Sequence, residues 1–247
     1  MRGEAFEALA GRVAACRICR DAPIGAPLPH EPRPVLHLRP SARLLIASQA
    51  PGTRVHASGL PFDDASGDRL RDWMGIERAQ FYDTRIFGFL PMGLCFPGQD
   101  AKGGDLPPRR ECAPAWREAL FERLSRLECI LLVGRYAQDW HLARAGLLVR
   151  GERLGGRLRR WRDIHEATSP RMIVLPHPSW RNTGWLKREP WFEREVVPVV
   201  RAEVAKALSG RVSAPETPET SKQSGSGQVQ SDTPKPILEK IFGKVGP

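Results

Sequence analysis

Three groups of residues in this chain have the types and spacing to do chemistry. The first is the loop Ser48-Gln49-Ala50-Pro51-Gly52, followed by Gly59-Leu60-Pro61-Phe62 and then Ser66-Gly67. The second is His177-Pro178-Ser179-Trp180-Arg181-Asn182. A histidine can move a proton near neutral pH, although a lone His-Pro-Ser tripeptide means little by itself. The third is a set of cysteines: Cys16-Arg17-Ile18-Cys19 is a C-x2-C pair, and Cys95 and Cys112 follow. In an intracellular protein such spacing reads as metal or redox chemistry before it reads as a disulfide framework. Cys129 stands apart inside an apolar run and reads as a core residue.

The elements that must position these groups alternate in type. Arg43 to Ala47 is a short apolar run that ends at the first loop, as a buried strand would. Ser66 to Ile76 has helical spacing of Leu70, Trp73 and Met74, and Phe81 to Leu94 reads as extended. Pro114 to Leu127 is helical in pattern. Cys129 to Val133 is a second buried strand, closed by Gly134, and Tyr136 to Leu148 suggests another helix. Met172 to Leu175 is a third strand, running directly into the His177 loop. A last helix begins near Pro190, a favoured first-turn residue, and ends at about Leu208. Strands alternating with helices predict an α/β fold, and in such sheets ligands bind beyond the strand C-termini. Both polar loops fall at such ends.

The 247 residues fit one domain of residues 1–208 with an appendage, and 41% hydrophobic content supplies a core. The net charge is +10, which points to an anionic partner, a generic solvated basic face being the alternative. From Arg211 onward five basic residues face four acidic ones, so the charge belongs to the body of the chain. Residues 209–234 turn to Ser, Thr, Pro, Gly and Gln, the composition of a disordered linker. Residues 235–247 hold a small apolar cluster, Ile237 to Phe242. It reads as a nonfunctional end or as a short docking segment for a protein partner. No apolar run is long enough to span a membrane, and residues 1–10 lack the apolar centre of a signal peptide. The expectation is a cytoplasmic protein.

The two loops, in this order and each after an apolar strand, resemble those of the uracil-DNA glycosylase superfamily. That family pairs a Gly/Ser-x-Ala-Pro-Gly loop and a Gly-x-Pro-Phe segment with a C-terminal His-Pro-Ser loop. The resemblance runs from about Ala14 to Leu208. It implies a three-layer sandwich around a mostly parallel four-stranded sheet, acting on DNA as a monomer at the nucleoid. The implied reaction is hydrolysis of the N-glycosidic bond of a base flipped out of the helix. Phe62 matches the aromatic residue that stacks on that base, a plain core phenylalanine being the alternative, and Ala50, Pro51 and Gly52 shape the base pocket. His177 matches the donor to the anionic base, a loop-capping histidine being the alternative. Ser179, Arg181 and Asn182 fall where relatives grip phosphates and wedge the helix open. Cys16, Cys19, Cys95 and Cys112 resemble the ligands of the iron–sulfur branch, which implies a [4Fe–4S] cluster; a zinc site and unliganded thiols stay open.

Two departures stand out. Many relatives carry an acid in the first loop, whereas here the loop reads Gln49-Ala50 and His56 stands where the iron–sulfur branch tends to have one. Gln49 and His56 are therefore the candidates to position water, with Asp63 and Asp64 just beyond Phe62. The asparagine that reads the uracil edge falls at Pro91. These gaps leave a second reading, a DNA-binding or damage-sensing protein of the same fold with weak or no activity.

Overall fold

Three apolar stretches of four or five residues and a fourth of three are too short for helices, and they pair edge to edge. In this computed structural model, which describes residues 5–210, they are β1 (Leu44–Ala47), β2 (Phe87–Phe89), β3 (Cys129–Val133) and β4 (Arg171–Leu175). The sheet order is β2-β1-β3-β4 and every pair is parallel. Apart from Arg171, every strand residue is buried. That pattern belongs to a parallel sheet covered on both faces, so the expected α/β architecture is the one observed. The proposed linker and C-terminal segment lie outside the described residues, apart from Ser209 and Gly210 at the end of the last helix.

Helices fill the crossovers that parallel strands require. Before β1 lie α1 (Phe6–Ala14) and α2 (Ile18–Asp21), and between β1 and β2 come α3 (Thr53–Ser58), α4 (Ala65–Met74) and α5 (Arg78–Phe81). Next comes α6 (Cys112–Phe121), then α7 (Arg135–Arg144), α8 (Leu154–Arg159) and α9 (Trp161–Ala167) between β3 and β4. After β4 stand α10 (Thr183–Arg188), a π-helical turn at Phe192–Val196, and α11 (Val197–Ser209). The Asp64 side chain caps α4 by accepting from Gly67 N, and Gly75 ends it in the left-handed conformation, so its two ends are set by standard cap chemistry. Its apolar stripe of Leu70, Trp73 and Met74 is buried, and Trp73 meets Phe192 edge-on at 5.0 Å. No helix among the described residues is long and apolar enough to cross a membrane.

The stretch from Phe81 to Leu94 departs from the extended reading. Phe81 closes α5, only Phe87–Phe89 is strand, and the residues beyond form a buried loop. The loop stays inside because Arg117 of α6 satisfies its backbone. The guanidinium is only 1% exposed and donates to the carbonyls of Leu90 (3.0 Å) and Pro91 (2.9 Å). It also lies 2.7 Å from the His141 ring of α7. Burial pulls Arg117 down to about 9, which leaves it charged at neutral pH.

The same burial, with the charges of Arg117 and Arg144, holds His141 well below the ordinary histidine range. His37, His56 and His177 are lowered as well, each mainly by burial. The unfolded chain takes these protons near pH 6.5 and the folded one does not, so stability falls as pH drops below that value. The urea midpoint should decline between about pH 7 and pH 5. In His141→Gln, which keeps an acceptor for Arg117, the decline should be shallower. A midpoint indifferent to pH across that window would remove the burial account.

Candidate active site

Because the sheet is wholly parallel, β1 and β4 release their loops at one edge, and both loops line a single cavity of about 660 Å³. Gln49, Ala50, Pro51 and Gly52 contribute from the first loop, and Phe62 from the segment after α3. His177, Ser179, Arg181 and Asn182 contribute from the second. The volume lies within the range of small-ligand sites.

His177 is held from behind by the backbone it follows. The fully buried Gln138 of α7 donates to the carbonyls of Leu132 (3.1 Å) and Leu175 (2.9 Å), joining the ends of β3 and β4. Gly134 N bonds the same Leu175 carbonyl at 3.0 Å. Within the loop, the Asn182 side chain donates to the His177 carbonyl at 2.7 Å. From α4, Arg69 donates to the Ser179 carbonyl at 3.0 Å and to the Thr183 hydroxyl at 3.1 Å. Burial lowers the His177 imidazole and the charge of Arg181 adds to that, while Asp64 and Asp105 oppose it. The ring is therefore neutral at pH 7 and carries one N–H donor.

Phe62 is placed by strain. It is the only non-glycine residue among those described with a positive φ (54°), a conformation that persists only where the surroundings impose it. Tyr82 donates to the Pro61 carbonyl at 2.8 Å, and the Phe62 ring packs against Phe81 and Phe89 at 6.3 Å. The Phe62 carbonyl lies so close to α4 that a Cβ on Gly67 would sit 1.8 Å from it. The glycine of Ser66-Gly67 is thus required by the turn that presents Phe62.

The structure separates His56 from this group. It lies on α3, outside the cavity lining, with its ring 4.6 Å from His30 and 5.6 Å from Phe96. The Arg33 guanidinium holds its carbonyl at 2.6 Å. Pro91 does line the cavity, but its carbonyl is bonded to Arg117. Of the two aspartates after Phe62, Asp63 pairs with Arg78 at 2.7 Å, while Asp64 reaches the lining.

Sequence reading gave no role to several residues of the lining, among them Arg54, Gln99, Asp105 and Trp180. Gln99 and Asp105 belong to a loop remote in sequence from both motifs, and nothing in their spacing announces the contact. Trp180 could have been noticed, since an aromatic within a polar loop is unusual. It is 77% exposed, with the Arg181 guanidinium 5.7 Å from its ring.

The cysteines form a second place. Cys16, Cys19, Cys95 and Cys112 are free thiols that line one narrow void, while Cys129 is buried in β3. Leu94 N donates to Cys112 Sγ at 3.2 Å, and Trp116 Nε1 to Cys16 Sγ at 3.1 Å. Burial raises Cys19 and Cys95 and takes Cys112 up to about 11. Among the described residues, no three His, Cys, Asp or Glu groups converge to hold a metal ion, so the thiols share a void without meeting at a point.

The contact at Gly67 can be tested. Gly67→Ala should lower stability in urea by about 1–3 kcal/mol or more, as overpacking does. Ser66→Ala, one residue earlier, should stay within about 0.5 kcal/mol. Equal stability of the two variants would show that Phe62 is not held by this approach.

A family model, the uracil DNA glycosylase superfamily, matches residues 37–201, well over half of the chain. That match spans all four strands, both polar loops and two of the four clustered cysteines, and the chain belongs to the uracil DNA glycosylase superfamily.

Proposed function

We propose that the protein is a monofunctional DNA glycosylase that hydrolyses the N-glycosidic bond of uracil or another deaminated base, starting base-excision repair as a monomer at the nucleoid. The observation that carries this reading is the single cavity in which a neutral His177 and a conformationally fixed Phe62 face the same space.

The chemistry follows from the residues. A base inside a duplex must be flipped out, at a cost of a few kcal/mol. Phe62 offers it a ring face. As the bond breaks, the electron pair leaves with the base, and the His177 N–H donates to the oxygen where that charge gathers. One such donor is worth about 3–4 kcal/mol in a preorganised site. Arg54, Ser179 and Arg181 are suited to phosphates beside the flipped nucleotide, and the exposed Trp180 can stack on a neighbouring base as the wedge. No lysine lines the cavity among the described residues, which supports water over a Schiff base. Pro91 has no side-chain amide to read a uracil edge, and its carbonyl is committed to Arg117. This supports a range of deaminated bases.

The donor set of Cys16, Cys19, Cys95 and Cys112 fits a [4Fe–4S] cluster. The fit is supported by four free thiols around one void, two buried and two partly buried, with N–H groups donating to two of the sulfurs. A single zinc ion would draw its ligands to one point, whereas a cluster is surrounded by them. When bound, the cluster would supply a structural tie between the N-terminal segment and the loops at 95 and 112. Protein purified without oxygen should contain iron and acid-labile sulfide in equal amounts, and Cys112→Ser should lose both and melt earlier. Stoichiometric zinc without sulfide would overturn the cluster.

The decisive assay uses labelled oligonucleotides with one uracil, single-stranded or opposite guanine, followed by alkaline cleavage of abasic sites. The wild type should produce strand breaks and His177→Ala should be slower by about 10²–10³-fold. DNA binding without breaks on uracil, hypoxanthine or xanthine would favour the damage-sensing alternative.

A further inference from the structure

Heterolysis of a glycosidic bond leaves positive charge at C1′ of the sugar as well as negative charge on the base. His177 answers the second charge. The first motif, with Gln49-Ala50, holds no acid to answer the first. Two carboxylates nevertheless line the cavity, Asp64 and Asp105, and they differ in what else they do. Asp64 is committed to α4, where its Oδ1 accepts the Gly67 N–H at 3.0 Å.

Asp105 has no such commitment. It lies on a loop that turns back on itself: Gln99 and Asp105 form an antiparallel bridge, and Leu106 N bonds the Gly98 carbonyl at 2.9 Å. The turn delivers Asp105 to the backbone of the first motif, with Oδ2 3.2 Å from where a Cβ on Gly52 would stand. Glycine is thus what lets the carboxylate come this close. The Asp105 carboxylate accepts a single hydrogen bond among the described residues, a long one of 3.4 Å from Gln99 Nε2. Asp105 and His177 line the same cavity, so the carboxylate and the imidazole face one space.

We infer that Asp105 is the catalytic carboxylate of this site, standing over Gly52 to hold the attacking water and to balance the cationic sugar. The inference rests on the glycosylase reading above. The C1′–N bond breaks with its electron pair going to the base, which His177 stabilises through its N–H. The water oxygen bonds to C1′ and its proton passes to Asp105, then to solvent. The base anion takes a proton from solvent, so the products are the free base and an abasic sugar with a hydroxyl at C1′. Gln99 is a positioning residue that orients the carboxylate.

The test uses the full chain and two readouts. In single-turnover excision, Asp105→Asn should be slower by about 10²–10⁴-fold, the usual contribution of a general base, and Asp105→Glu should recover part of the loss. The second readout does not depend on which base is cut. It compares the affinity for DNA carrying a cationic pyrrolidine in place of the sugar with that for DNA carrying a neutral tetrahydrofuran. The wild type should prefer the cation, and Asp105→Asn should lose at least about tenfold of that preference while binding the neutral DNA normally. Near-wild-type excision by Asp105→Asn, or equal preference for the cation in both proteins, overturns the assignment of Asp105. A wild type that cuts no base overturns the glycosylase reading instead, and the analogue preference still decides whether Asp105 faces the sugar.

Discussion

The site depends on a charge placed where charges are costly. Arg117 is almost wholly buried, and among the described residues no carboxylate is bonded to it. Its partners are two backbone carbonyls, the His141 ring and the face of Trp140 at 4.7 Å. An isolated buried guanidinium is expensive unless its donors are used, and the residues it binds show the return. Leu90 and Pro91 follow β2, Pro91 forms a wall of the large cavity, and Cys95 lies four residues on in the cysteine void. Arg117 itself comes from α6, whose first residue is Cys112. One side chain thus fixes a loop whose two ends serve the two cavities. Loss of that bond would leave two buried carbonyls and a buried ring without a partner, and the loop would have no reason to stay inside.

The sheet supplies the rest of the geometry. Strands of three to five residues cannot carry a site along their length, but four parallel ones deliver every C-terminal loop to one edge. Gln138 then locks β3 to β4 at that edge, one residue before the His177 loop begins at Pro176. The rigidity is transmitted to the imidazole, whose carbonyl Asn182 also holds. On the other side of the cavity, precision comes from strain: Phe62 takes a left-handed turn that Gly67 makes room for. Preorganisation of this kind is what lets a neutral donor and a ring face act without rearranging during the reaction.

These two halves of the site were unequally legible in the sequence. β1, β3 and β4 read directly because a parallel strand buried on both faces is an unbroken apolar run, and the motif residues follow β1 and β4 at once. Phe81–Leu94 misled for the same reason. Its apolar character reflects burial, but the burial is of a loop, made tolerable by an arginine more than twenty residues away. Helices α3, α8 and α9 gave little pattern. Thr53–Ser58 is less than two turns between two glycines, and Leu154–Arg159 contains Gly155 and Gly156, residues that helices tolerate poorly; its Arg157 is instead fixed by Asp139 at 2.7 Å. Asp105 and Gln99 were invisible because only the folded chain brings their loop to Gly52. His56 looked suitable by position, yet the short α3 carries its ring toward His30 and Phe96.

On the glycosylase reading proposed above, charge explains why the missing acid belongs on a distant loop. A net charge of +10 serves a phosphate backbone, and Arg54 and Arg181 bring that positive field into the cavity. The field favours a neutral His177 and an anionic leaving base, but it opposes the cation that forms at C1′. A carboxylate is needed within the same space, and it must not be neutralised by the arginines or spent on capping a helix. Asp63 fails the first condition through Arg78, and Asp64 fails the second through Gly67. Asp105 meets both, held by an amide that carries no charge. Separating the two signs by loop would let one cavity attract an anion and stabilise a cation, which the proposed hydrolysis of a glycosidic bond in DNA demands.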